Sequence, residues 1–107
     1  MIAVTNDEIA GMKITKSFGL VKGNTIRARN IGRDILAVIK NLIGGEIEEY
    51  TKLIAESREQ ALDRMLKEAE AKGANAVVSV RFATSYIMAN AAEILAYGTA
   101  VRVEDNH

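Results

Sequence analysis

The stretch that decides the fold runs from Glu46 to Phe82, EIEEYTKLIAESREQALDRMLKEAEAKG (46–73) followed by ANAVVSVRF (74–82). The hydrophobic period changes across it. In the first part Ile47, Tyr50, Ile54, Ala61, Met65 and Ala69 fall on one side of a wheel drawn at 100° per residue, which predicts an amphipathic helix from about Glu46 to Lys72. Glu48–Lys52, Asp63–Lys67 and Glu68–Lys72 are i,i+4 pairs of favourable order, each worth a few tenths of a kcal/mol, roughly 0.2–0.5. At ~1.5 Å per residue such a helix is roughly 40 Å long. That is long for a small domain, so one end is expected to project toward a neighbour. Gly73 is placed to cap it.

Beyond Gly73 the period drops to two. In NAVVSVRFATSYI (75–87) Val78, Val80 and Phe82 are expected on one face of a strand, and Val77, Ser79 and Arg81 on the other. In AAEILAYGTAVRV (91–103) Leu95, Tyr97, Val101 and Val103 alternate with Ile94, Ala96, Gly98 and Ala100. Both faces of that strand are apolar or small, so both should be covered. The intervening MANAA (88–92) suits a hairpin turn, and the final EDNH (104–107) reads as a frayed tail.

Upstream, residues 1–5 read as a short strand, and Met12 to about Arg27 as a longer one. Gly19 and Gly23 interrupt that pattern, which marks a bulge, a bend or a close backbone approach. A short helix is expected from Asp34, where Ile35, Val38, Ile39 and Leu42 recur at helical spacing, to Gly44. The order β, β, short α, long α, β, β predicts one α+β domain over residues 1–107, with helices on one face of a largely antiparallel sheet. The second sheet face would be left wet in a lone domain. Oligomerisation is a natural cover for it.

Composition narrows the function classes. The 107 residues suffice for one domain and not two. No cysteine is present, which excludes disulfides and thiolate metal sites and agrees with a reducing cytoplasm. No signal peptide or membrane-spanning run is read in the chain, so no membrane partner is expected. Formal net charge is zero, and nucleic acid gains no support. The charge is unevenly placed. Residues 1–45 hold seven Lys/Arg against three Asp/Glu, and residues 46–107 seven against eleven. Either a solvated acidic helix face or complementary subunit surfaces accounts for this.

Candidate chemistry is sparse. His107 is the sole histidine and the last residue, so no Ser–His pair is expected, and no catalytic constellation is recognisable. The stretch GLVKGNT (19–25) departs from the phosphate-loop pattern. Glu46 and Glu49 share a helix face and could bind a hard ion through two carboxylates. Helix capping and the helix dipole explain the same acids with less. Arg58 falls within the apolar stripe of the long helix on the wheel. Its guanidinium must snorkel out, pair, or bind an anion, with Glu93 as one candidate partner. Arg81 is a second candidate of the same kind. Arg27 and Arg33 precede the short helix and could hold an anion at its N-terminus, or form a solvated basic loop.

These landmarks together resemble a known family. GLVKGNTIRARN (19–30), RDILAVIKNLIGGEIEEYTKLIAESREQALDRM (33–65), AEAKGANAVVSVRF (69–82) and AEILAYGTAVRV (92–103) match the YbjQ-like family in its order and over nearly the whole chain. GGEIEEYTKL, KGANAVV and YGTAV are the most specific pieces. The resemblance implies a dodecin-subunit-like α+β fold, assembled into a ring-like homopentamer in which short extra strands join neighbours. The family is mostly uncharacterised and often carries a heavy-metal-binding label, which the absence of cysteine and the lone terminal histidine do not support chemically. The resulting expectation is a non-enzymatic, cytoplasmic homo-oligomer, without a cofactor, that binds a small ligand or ion at subunit interfaces. The alternatives are metal binding through carboxylates, and an interfacial enzyme using carboxylates and arginines.

Overall fold

The computed structural model describes residues 1–27, 46–88 and 91–106, and of residues 27, 46–53, 86–88, 91 and 92 it describes the backbone course. The elements are β1 (Ile2–Ala3), β2 (Met12–Arg27), α1 (Glu46–Ala71), β3 (Ala76–Met88) and β4 (Ala91–Asp105). They form one sheet in the order β1-β3-β4-β2. β1 runs parallel to β3, and the other two pairings are antiparallel. The expected α+β architecture stands, among the described residues, as one helix packed on a mixed four-stranded sheet. The short helix expected from Asp34 to Gly44 lies outside the described residues.

The helix buries an i+4 ridge. Ser57, Ala61, Met65 and Ala69 are each fully buried. Arg58 is one residue, about 100°, away from that ridge and is exposed. This corrects the wheel. The seam includes the small Ser57 where the wheel admitted Arg58, because small side chains let the helix sit close to the strands. The approach is closest at Gly23, where an added Cβ would lie 2.3 Å from both the Ala61 carbonyl oxygen and the Met65 amide nitrogen. Thr25 Oγ1, buried beside it, donates to the Ser57 carbonyl at 2.7 Å. The helix ends in a Schellman motif. Gly73 adopts φ 91°, its N–H bonds the Glu70 carbonyl, and the Ala74 N–H bonds the Ala69 carbonyl.

The core beneath the helix joins Val21, Val77, Val80, Ile94, Ala96 and Ala100 to the ridge. Its membership corrects the alternation expected in β3. Val77 and Val80 share the helix side, whereas Val78 belongs to a second cluster with Ala76, Val101 and Val103. The cause is a β-bulge. The pairing steps from Val78↔Thr99 to Arg81↔Tyr97, so Ser79 and Val80 together oppose Gly98. Ser79 takes a left-handed φ of 56°. Gly98 leaves the room this requires, since a Cβ there would meet Val77 Cγ1 at 2.8 Å.

The bulge turns two amides away from β4 and toward the N-terminal segment. Ser79 N–H donates to the Asn6 carbonyl at 2.8 Å, and Val80 N–H to the Val4 carbonyl at 3.0 Å. Residues 4–11 then cross one end of the sheet's other face as a strap. Val4, Ile9 and Met12 pack on the second cluster. The expected cover on both faces of β4 is therefore present at this end. β4 continues through Asp105, and the Asn106 N–H donates to the Gly11 carbonyl at 3.0 Å. Residues 104–106 are thus held by the start of β2, where fraying was expected.

Candidate functional site

Where the strap stops, no other described element covers the sheet face away from the helix. Val21 and Thr25 of β2 point under the helix, so strand alternation sends Leu20, Lys22, Asn24 and Ile26 to the opposite face. Their cross-strand partners Thr99, Tyr97, Leu95 and Glu93 of β4 share that face, as do Arg81 and Ala83 of β3. Leu20 is 62% exposed and Ile26 56%, which is high for residues in a regular strand. Leu95 and Tyr97 between the flanking strands are half-buried. Leu95, Tyr97 and Ala83 thus form an apolar strip flanked by Arg81, Glu93, Asn24 and Lys22, with Leu20 and Ile26 exposed at its two ends on β2.

The border is ordered by local hydrogen bonds. Asn24 Nδ2 donates to Glu93 Oε2 at 2.9 Å across the β2–β4 diagonal. Arg81 Nη1 donates to the Thr5 and Val80 carbonyls, each at 2.8 Å. Arg81 thereby ties the strap to the bulge, and its guanidinium is partly spent on backbone oxygens.

The residues singled out in the sequence divide accordingly. Arg81 and Glu93 come to one face of the sheet. Arg58 stands exposed on the helix layer across the sheet, and the Glu93 carboxylate is met by Asn24 instead. Arg33 lies outside the described residues. Arg27 ends β2 and Glu46 and Glu49 open α1, and their side chains lie outside the described ones. Among the described residues no group of three or more His, Cys, Asp or Glu is placed to hold a metal ion. The ion pairs Asp63–Lys67 (3.1 Å) and Glu68–Lys72 (3.8 Å) fall where the helix spacing put them. Leu20, Ile26 and Asn24 were not singled out in the sequence. Only the β2–β4 register, together with the burial of Val21 and Thr25, reveals that they share an open face.

Among the described residues a helix laid antiparallel over the edge strand of a four-stranded mixed sheet, with the far face partly strapped, defines a small α+β class. A crystal structure of a protein of unknown function in the DUF74 family, from Pediococcus pentosaceus, shares this fold with a TM-score of 0.64 at 16% identity, over 97% of this chain and 98% of that one. The sequence places the chain more closely. A family model described as "Putative heavy-metal-binding" matches residues 1–104, and the chain belongs to this YbjQ-like family. It is similar to a UPF0145 protein of Dehalococcoides mccartyi, 58% identical over 97% of this chain and all of the relative. It is also similar to one from Methanosarcina acetivorans, 53% identical over 96% of this chain and 97% of that protein. These relatives bear family names without an assigned activity. Among the described residues no helix is long and apolar enough to cross a membrane.

Proposed function

We propose that this chain is a non-enzymatic, self-assembling cytoplasmic protein whose open sheet face seats against other copies of itself, with small ligands or ions held where subunits meet. The observation that carries this is the exposure of Leu20 and Ile26 beside Leu95 and Tyr97 on one face of a regular sheet. Burying two such side chains returns about 1.5–3 kcal/mol each, and large apolar side chains left exposed on a sheet face mark an interaction surface. The family resemblance adds the form of the assembly, a ring-like homopentamer. The opposite charge balance of the two halves of the chain is consistent with contact between unlike surfaces. Native mass spectrometry at micromolar concentration should show one discrete oligomer, and Ile26→Glu should shift it toward monomer. A wild-type monomer under those conditions would sink the reading.

The family description favours a second reading, metal binding. In this chain it would rest on carboxylates such as Glu46 and Glu49, which suit a hard ion better than a soft one. Equilibrium dialysis against Mn²⁺ and Zn²⁺ followed by elemental analysis separates the two readings. Stoichiometric metal that survives dialysis supports the second, and metal at buffer level removes it.

A further inference from the structure

Among the described residues β2 is the edge of the sheet beyond β4, and an edge strand ordinarily presents a bare row of backbone donors and acceptors. Here two carbonyls of that row are met from within the chain. Arg64 Nη1 donates to the Asn24 carbonyl, and Lys72 Nζ donates to the Leu20 carbonyl at 3.3 Å. Lys72 also lies 3.8 Å from Glu68 Oε1. Carbonyls four residues apart on one strand point to the same side, and these two are met by side chains from α1 and from the residue that follows it. The spacings agree. Eight residues of helix rise about 12 Å, and four residues of strand about 13 Å. Gly23 makes the match reachable, because the helix backbone rests directly on it between the two carbonyls.

The other half of the same edge is managed differently. Register shifts fall between Ile14 and Lys16 and between Ser17 and Gly19, so bulges break the ladder there. Lys13 and Lys16 add charge. From Leu20 to Arg27 the register with β4 is unbroken, which is the geometry most ready to accept another strand. The carbonyls that Lys72 and Arg64 meet, those of Leu20 and Asn24, both lie in this regular half. On the far side of the sheet, β1 is only two residues long and pairs with Ala76 and Val77. It leaves the outer edge of β3 beyond the bulge free of β1. Pairing of that edge with β2 of the next copy would be head-to-tail and open-ended.

We propose that Arg64 and Lys72 are edge guards. They hold the outward carbonyls of Leu20 and Asn24 so that a strand from a second copy cannot add to β2, which confines association to closed contacts made elsewhere. The inference concerns the strand edge and stands apart from the reading of the open face.

The test is sedimentation velocity with thioflavin T fluorescence on the full chain. R64A/K72A should convert the discrete wild-type species into a broad series of larger assemblies, with a severalfold rise in fluorescence. Adding Lys22→Pro should restore the discrete species. The Lys22 N–H lies between the two guarded carbonyls and shares their outward direction, so proline removes an edge donor without breaking the ladder to β4. Far-UV circular dichroism checks folding. If the double variant loses its signal, R64A and K72A singly, each truncating an exposed side chain, carry the same comparison at half strength. Folded variants that sediment as wild type overturn the proposal, as do larger assemblies that Lys22→Pro leaves unchanged. Whether the wild type is itself an oligomer or a monomer bears on the proposed function alone.

Discussion

Gly23 lies directly against the backbone of Met65: a Cβ built on the glycine would sit 2.3 Å from the Met65 amide nitrogen. No real Cβ approaches a backbone atom that closely, and a helix backbone cannot turn aside as a flexible side chain can. Gly23→Ala must therefore lift the helix off β2. Overpacking of this kind costs about 3 kcal/mol, and urea denaturation at fixed protein concentration should show a fall of that order. A loss under about 0.5 kcal/mol, within the range of an ordinary surface substitution, would mean that the helix does not rest on this glycine.

The bulge gives a second expectation. Ser79 holds a left-handed φ of 56° opposite Gly98. A β-branched residue is strained in that region, by about 1–2 kcal/mol. Ser79→Val should destabilise the fold by that amount, while Ser79→Gly should leave stability nearly unchanged. Equal losses from the two substitutions would count against the strained conformation.

Thr25 and Ser57 supply a third. The Thr25 hydroxyl is buried and donates to the Ser57 carbonyl at 2.7 Å. Thr25→Val keeps the shape and removes the donor, at a cost of about 1 kcal/mol. Chemical denaturation of wild type and variant at the same concentration reads the difference, and an unchanged midpoint would show the bond to contribute nothing net.

Arg81 yields a prediction about dynamics. Its guanidinium joins the Thr5 carbonyl of the strap to the bulge, where the Ser79 and Val80 amides are bonded to strap carbonyls. Arg81→Ala should loosen the strap while the helix-side core persists. Hydrogen exchange at Ser79 and Val80 should accelerate, and exchange at Met65 and Ala69 should not. Acceleration everywhere would instead indicate global destabilisation.

Much of this was legible in the residues. The helical period of 46–72, the extended reading of 12–27 and the strand patterns of 75–87 and 91–103 set every long element among the described residues within about two positions, because each is a local property of the chain. Gly73 read as a cap because a left-handed terminal residue favours glycine. Arg81 and Glu93 were visible as candidates, but their common face was not. That face depends on how β3 and β4 are registered, and register depends on a bulge whose signal, Ser79 opposite Gly98, is spread over two strands. Arg58 misled for a related reason. A wheel gives the side of a helix only to within about one residue, and which ridge is buried depends on where the closest approach falls, here over Gly23.

The sequence by itself determined the membership of the chain in its family, the α+β class, the helix and the strands, since these follow from local spacing and quoted segments. Tertiary structure alone decided the sheet order, the strap across the second core, the open face of Leu20, Ile26, Leu95 and Tyr97, and the two cations laid along the edge of β2. Each of those joins residues far apart in the chain, and only the register and the close packing of helix on strand bring them together.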